Sequence, residues 1–318
     1  SFAEEANVPV LMNGLGRGTL PADHPLAFSR ARASALREAD LVLATGTPLD
    51  FRLAYGSFGD ARVVHLCESS SQLAGHVDLA AGVVGDLRLV LEALASACGS
   101  VATERRSWVA RLRGDEVLKR AAEAGGLASE ASPIKPPRIY GELAKRLDRD
   151  AIVIGDGGDF VSYAGKYVDT FTPGCFLDPG PYGCLGTGPG YALAARLAHP
   201  SRQVVLLLGD GAAGFSLMDF DTLVRFRAPV VAVLGNNSAW GLEKHPMKAM
   251  YGYHVAAELA PETRYDQVVA ALSGHGELVR EPAELGPALD RAFASGVPSL
   301  VNVMTDPEDV YPRSSNLM

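Results

Sequence analysis

Two kinds of segment alternate along the chain. Short apolar runs, too continuous to be half-exposed strands, occur at Val8–Met12, Leu41–Gly46, Ala61–Leu66, Leu79–Val84, Ala151–Ile154, Val204–Leu208, Pro229–Leu234 and Ser299–Val303. Strands of this kind are buried on both faces, as in parallel sheets. Between them lie segments with apolar residues at helical spacing: Phe28–Glu38, Leu87–Ala97, Ile139–Leu147, Val161–Tyr167, Tyr191–Ala198 and Leu285–Ala294. A further helical segment carries Leu217, Phe220, Leu223 and Val224 on one face. The run Gln267–Leu272 is read with Gly276–Val279 as the strand part of a last β-α-β unit. The pattern predicts an α/β protein with two Rossmann-like parallel sheets.

The alternation breaks once. Residues 101–136 are first charged (Thr103-Glu104-Arg105-Arg106), then rich in Ala, Gly, Ser and Pro, with Gly125-Gly126 and prolines from Pro133 to Pro137. A helix-bearing linker over 101–137 would separate a domain at 1–100 from one at 138–318. The length of 318 residues suits two domains.

Composition narrows the function classes. Hydrophobic residues make up 47% and charged residues 21%, and no apolar run is long enough to span a bilayer. The opening Ser1-Phe2-Ala3-Glu4-Glu5 has acids where a secretory signal has lysines. A net charge of −8 argues against nucleic acid as a partner. Cys67, Cys98, Cys175 and Cys184 are scattered without a CxxC pair, which fits thiols of a cytoplasmic protein better than disulfides or zinc.

The chemistry concentrates between Val204 and Trp240. The strand Val204–Leu208 ends in Gly209-Asp210-Gly211-Ala212-Ala213-Gly214, and the next strand ends in Gly235-Asn236-Asn237. In an open parallel sheet both ends open into one crevice. One carboxylate, one amide oxygen and one backbone carbonyl half-fill an octahedron. The remainder suits a diphosphate and water, the usual way Mg²⁺ is held. Backbone N–H groups from Gly211 to Ala213, at a helix start, suit the same anion. Two other glycine-rich stretches follow strands or open helices: Gly155-Asp156-Gly157-Gly158-Asp159-Phe160 and Gly180-Pro181-Tyr182-Gly183-Cys184-Leu185-Gly186-Thr187-Gly188-Pro189-Gly190. The loop Asn13–Gly18 is read as a turn.

Gly-Asp-Gly followed at this distance by Asn-Asn closely resembles the thiamine diphosphate motif of the acetolactate synthase and pyruvate decarboxylase superfamily. The resemblance implies Asp210, Asn237 and the Ala239 carbonyl as Mg²⁺ ligands. It places Gly209, Gly211, Ala212, Ala213, Asn237, Ala239 and Trp240 around the cofactor. It implies a diphosphate grip at Gly158, Asp159 and Phe160, and a contact from the Gly183 carbonyl to the 4′-amino group. Leu185 would be the apolar wedge that bends the cofactor. Glu243 and His245, just past the metal loop, are candidates for general acid/base work.

In that family a strand, most of a helix and a whole pyrimidine-binding domain precede the point matching Ser1. The activating glutamate belongs to that domain, usually of another subunit. The chain is therefore expected to be one piece of an enzyme that works as a homodimer or homotetramer on a small-molecule substrate. Gly214-Phe215-Ser216-Leu217-Met218-Asp219 with Thr222 and Arg225, and the tail Arg313-Ser314-Ser315-Asn316-Leu317, resemble 2-hydroxyacyl-CoA lyases. The run from Trp240 to Met247 and on to Met318 is similar to actinobacterial acetolactate synthase-like proteins. A lyase cleaving a 2-hydroxyacyl-CoA to formyl-CoA and an aldehyde or ketone is the first expectation, with Arg52 as a donor to coenzyme A. A carboligase joining two pyruvates is the second, and a non-catalytic nucleotide-binding scaffold the third.

Overall fold

The structure, a computed structural model, describes residues 1–99 and 103–312. The tail 313–317 that carries part of the lyase resemblance lies outside them. The described chain falls into two compact units, one formed by Ser1–Leu11 with Asp23–Ala122, the other by Met12–Ala22 with Glu123–Pro312.

The first unit begins with α1 (Phe2–Ala6) and two short parallel strands, β1 (Val10–Leu11) and β2 (Ala27–Phe28). Helix α2 (Arg32–Glu38) leads into a parallel sheet of β3 (Leu41–Thr45), β4 (Arg62–Cys67) and β5 (Leu79–Val84), in that order. The helix expected over Phe28–Glu38 is shorter, because Ala27 and Phe28 pair with Val10 and Leu11 instead. Ala44, Leu49, Phe58, Val63 and Ala74 form one core cluster of this unit. Helix α3 (Leu87–Ala97) follows, its first turn capped by the Asp86 carboxylate. The expected linker is mostly one long helix, α4 (Thr103–Leu127), in which Gly125 and Gly126 are helical.

The second unit includes α5 (Pro136–Leu143), started by two prolines. Its sheet contains β6 (Ile152–Asp156), β7 (Phe176–Leu177), β8 (Val204–Gly209), β9 (Val231–Asn236), β10 (His275–Val279) and β11 (Ser299–Met304). All six are parallel, in the order β10-β11-β9-β8-β6-β7. The helices are α6 (Gly158–Tyr167), α7 (Gly188–Ala198), α8 (Asp210–Ser216), α9 (Phe220–Arg225), α10 (Gly241–Tyr251), α11 (Tyr265–Ala271) and α12 (Pro282–Ala294). Among the described residues, no helix is long and apolar enough to cross a membrane.

In the second unit the continuous apolar strands have the predicted cause. In the first unit β3 and β5 are apolar yet largely part-exposed or exposed, contrary to the expectation of burial on both faces. Val153, Val205, Leu207, Val231, Val233, Val301 and Val303 pack on one face with α5, α6 and α12. Ile152, Ile154, Leu206, Leu208, Ala232, Leu234 and Leu300 pack on the other with α7, α8, α9 and α11. Alternate residues thus serve opposite cores. Gln267–Leu272 is not a strand: most of it falls in α11, where Val269 is buried and Asp266 lies in the first turn. A short apolar run does not separate buried helix from strand, and here packing decides.

The strand order places the site. From β6 the chain steps outward to β7, then returns to β8 on β6's other side. Helix α6 packs on one face of the sheet and α8 on the other. The carboxyl ends of β6 and β8 are therefore the topological switch point at which open α/β sheets bind ligands.

Candidate functional site at the ends of β6, β8 and β9

β6 and β8 both end in the triplet Gly-Asp-Gly: Gly155-Asp156-Gly157 and Gly209-Asp210-Gly211. Gly209 pairs in register with Gly235, so Asp210 stands beside Asn236 and the loop that follows it. The Asp210 carboxylate takes the Gly211 N–H at 2.9 Å and faces the N–H groups of Ser238 and Ala239. Asp210 and the Asn237 loop therefore meet in one place. The Oδ2 atom of Asp210 is buried and has no hydrogen-bond partner among the described residues. Burial raises the carboxyl pKa to about 6.

The Asn237 loop is shaped by its neighbours. Asn237 Oδ1 accepts the Ala239 N–H at 3.1 Å, and Ser238 sits at φ +56°. The Ser238 carbonyl accepts from Leu259, and the Trp240 N–H goes to Ala257. Ala239, between Ser238 and Trp240, is buried and forms a bridge opposite Glu258. Behind the loop is a polar network that the sequence reading missed. Asn236 Oδ1 accepts the Ser238 N–H at 3.2 Å, while its Nδ2 donates to Asn302 Oδ1 at 3.1 Å and to the Thr263 carbonyl at 3.2 Å. Asn302 in turn donates to Asp266, which Arg264 holds bidentately. Two buried amides side by side on neighbouring strands need such partners, but nothing local in the sequence pairs residues 236 and 302.

Gly158, Asp159 and Phe160 form the first turn of α6, not a loop before it. This leaves their N–H groups at a helix start. The Asp159 side chain is buried and accepts the Tyr311 N–H at 3.0 Å. The Phe160 ring packs in the core over Gly235, and its carbonyl accepts the Tyr140 hydroxyl at 2.7 Å. Phe160 can therefore serve an anion through its backbone N–H and not through its side chain.

Leu185 sits over this turn. A Cβ on Gly157, which has φ +70°, would fall 2.0 Å from Leu185 Cδ2 and 3.3 Å from Ala212 Cβ. The glycine is thus required twice, by conformation and by contact. Leu185, Gly157 and Ala212 meet between α6 and α8. Gly183, at φ +62°, is exposed on the same loop. A Cβ on Gly211 would fall 2.5 Å from the Trp240 ring, which also meets Phe215 edge-on at 6.2 Å.

Residues beyond Trp240 form α10. Glu243 is exposed in its first turn. Lys244 is buried and pairs with Glu258 at 3.1 Å. His245 turns inward: its Nε2 is buried without a partner among the described residues, and burial lowers its pKa. A Cβ on Gly241 would lie 3.1 Å from Asp159 Cβ, 3.5 Å from Asn237 Nδ2 and 3.8 Å from His245 Cδ2, so these three side chains surround one point. In the first unit, Arg52 is bound bidentately by Asp50, with 2.7 Å from Nη2 to Oδ2, so its guanidinium is already engaged.

Residues 156–303 match the family described as "Thiamine pyrophosphate enzyme, C-terminal TPP binding domain", and residues 1–94 match "Thiamine pyrophosphate enzyme, central domain". The chain belongs to the thiamine pyrophosphate enzymes. It is 57% identical over 318 residues to the "Acetolactate synthase large subunit IlvG" of Mycobacterium tuberculosis and to a "Probable acetolactate synthase" of Mycobacterium bovis. It is 36% identical over 324 residues to "2-hydroxyacyl-CoA lyase 2" of Caenorhabditis elegans. These alignments cover 99% and 96% of the chain, but 58% of the two synthases and 50% of the lyase.

The site's chemistry fits the family's cofactor. One buried carboxylate has an oxygen to spare, and Asn237 Oδ1 retains a lone pair beside it. Among the described residues, no three His, Cys, Asp or Glu side chains gather at a metal-sized space. A cation here would therefore depend on neutral oxygens and a ligand diphosphate, as Mg²⁺ does.

Proposed function

We propose that the chain forms the cofactor-holding part of a thiamine diphosphate- and Mg²⁺-dependent carboligase of the acetolactate synthase type, acting on 2-oxo acids such as pyruvate. The single observation that carries the cofactor reading is the buried Asp210 carboxylate, whose unpartnered Oδ2 shares a crevice with the Asn237 loop. The ranking of substrates rests on similarity. Identity of 57% to two synthases against 36% to a lyase supports the carboligase ahead of the 2-hydroxyacyl-CoA lyase, the reverse of the order expected from short motifs. The lyase remains the second reading because that relative aligns over 96% of the chain. The engagement of Arg52 by Asp50 weakens its assignment as a coenzyme A donor. The similarity to two named enzymes weighs against a scaffold.

In this reading Asp210, Asn237 and the Ala239 carbonyl hold Mg²⁺. The N–H groups opening α6, with those of Ala212 and Ala213, hold the diphosphate oxygens, the Gly211 N–H being already donated to Asp210. Leu185 is the apolar support on which the cofactor bends, and Trp240 closes the space over Gly211. When bound, thiamine diphosphate supplies a carbon nucleophile that adds to a carbonyl and stores the electron pair released by cleavage of the neighbouring bond. Of the two proton-transfer candidates, His245 is the better placed. Its buried Nε2 lacks a partner among the described residues, and burial favours the neutral ring, which can take up a proton. Glu243 is exposed. The cofactor's activating glutamate and the second subunit are proposed to come from outside these residues.

The test is a substrate comparison with the full-length protein, thiamine diphosphate and Mg²⁺. Pyruvate should give acetolactate. Formation of a 2-hydroxyacyl-CoA from formyl-CoA and a ketone, with pyruvate inert, would favour the second reading.

A further inference from the structure

Asp156 is fully buried at the end of β6, yet none of the roles above uses it. Its two carboxylate oxygens are divided between two backbone donors, 30 and 32 positions away in the chain. Oδ1 accepts the Gly186 N–H at 2.9 Å and Oδ2 the Gly188 N–H at 2.8 Å. These donors hold the turn that presents Leu185.

The fit is tight on every side. A Cβ on Gly188 would lie 2.7 Å from Asp156 Oδ2 and 2.6 Å from Leu206 Cδ1. One on Gly186, at φ +82°, would lie 2.8 Å from Phe215 Cβ. The loop thus has one seat, and the carboxylate fixes it at the point where Leu185 reaches Gly157. The next residue in the chain after Asp156 is that same Gly157, and α6 begins one residue later. One side chain therefore sets the distance between the turn that would grip the diphosphate and the leucine that would support the bent cofactor.

We infer that Asp156 is a positioning residue, which holds Leu185 against the diphosphate turn so that thiamine diphosphate is bound in its bent form. This rests on the cofactor reading given above. A shorter or amide side chain would keep the strand but release the loop. In Asp156→Asn the amide nitrogen must face one of two N–H donors, so an acceptor is lost and two donors are opposed.

The experiment measures thiamine diphosphate affinity, with Mg²⁺ present, for the full-length wild type, Asp156→Asn, Leu185→Ala and the double variant. Amide hydrogen exchange is followed in the same proteins without cofactor. The wild type should bind. Asp156→Asn should weaken binding by roughly 10–100-fold, the loss of one buried charge-assisted hydrogen bond. The amides of Gly186 and Gly188 should exchange faster while β6 and β8 stay protected. Leu185→Ala should weaken binding without that change in exchange, and the double variant should be little worse than Asp156→Asn, because both substitutions remove one support. Wild-type affinity in Asp156→Asn, or losses that multiply in the double variant, would overturn the positioning role alone. General loss of protection across the sheet would also overturn it, since the carboxylate would then be holding the fold. Failure of the wild type to bind would overturn the cofactor reading and this role with it.

Discussion

Asp156 and Asp210 occupy the middle of the same triplet on neighbouring strands, yet their oxygens meet different fates. Both Asp156 oxygens accept backbone N–H groups, whereas Asp210 Oδ2 is buried with no partner among the described residues. The first aspartate is committed to holding a loop. The second keeps a hard oxygen available at the switch point of the sheet, and the predictions below follow from that difference.

Asp210 carries an energetic cost when no ligand is bound. Its pKa is about 6 against an ordinary value of 3.8, a difference of about 3 kcal/mol at roughly 1.36 kcal/mol per pKa unit. The shift is upward, so the folded state holds the proton more tightly than the unfolded state. The penalty is complete above pH 6 and fades as the pH falls through 6 towards 4. Asp210→Asn should therefore raise the Tm of the cofactor-free protein at a pH of about 7.5, and should abolish the further rise produced by Mg²⁺ with thiamine diphosphate. Thermal denaturation with and without ligands reads both effects.

The same group sets a pH window for binding. A metal ligand must be deprotonated. Cofactor affinity should fall as pH drops through about 6, about tenfold per unit once below it, while the cofactor-free protein gains stability from this group over the same range. Titration calorimetry at several pH values checks the first trend, and denaturant unfolding checks the second.

His245→Gln should lower kcat by roughly 10²–10⁴-fold if that ring transfers a proton. Glu243→Gln, exposed on the same helix, should leave kcat within a few-fold of wild type. Steady-state kinetics of the full-length protein distinguishes them. A large loss in Glu243→Gln with none in His245→Gln would reverse the assignment.

Asn302→Leu should remove the acceptor for Asn236 Nδ2 and a donor to Asp266. Each buried group left short of a partner costs about 1–3 kcal/mol. Urea unfolding should show a loss of that order. Metal affinity should fall as well if the Asn237 loop binds the cation as proposed, because Asn236 also holds the Ser238 N–H at the turn of that loop.

Several of these residues were legible in the sequence and others were not. The apolar runs of the second unit announced parallel strands because residues buried on both faces leave no polar alternation, while β5 of the first unit is as apolar but mostly exposed. The pairing of Asp210 with Asn237 followed from strand ends alone. By contrast, Gly158 to Phe160 lie inside a helix because a glycine at φ +70°, Gly157, starts it directly at the strand end. Glycines usually signal a loop, whereas here the helix starts within the glycine run. No helix was expected over Gly241–Tyr251, where α10 accommodates Pro246. The Asn236–Asn302 pair and the reach of Asp156 to Gly186 are tertiary facts. They depend on which strands are neighbours, which local pattern does not encode. A signal for Asp156 did exist: it is the centre of a second Gly-Asp-Gly at a strand end, the same mark that singled out Asp210.

The central claim is that Asp210 and Asn237 together hold one divalent cation. Crystals of the full-length protein with thiamine diphosphate and Mn²⁺ in place of Mg²⁺ would locate the metal by its anomalous scattering. A single peak about 2.1 Å from Asp210 Oδ2 and from Asn237 Oδ1 is the predicted result. A peak bound elsewhere, or a diphosphate with no metal beside Asp210, would contradict it.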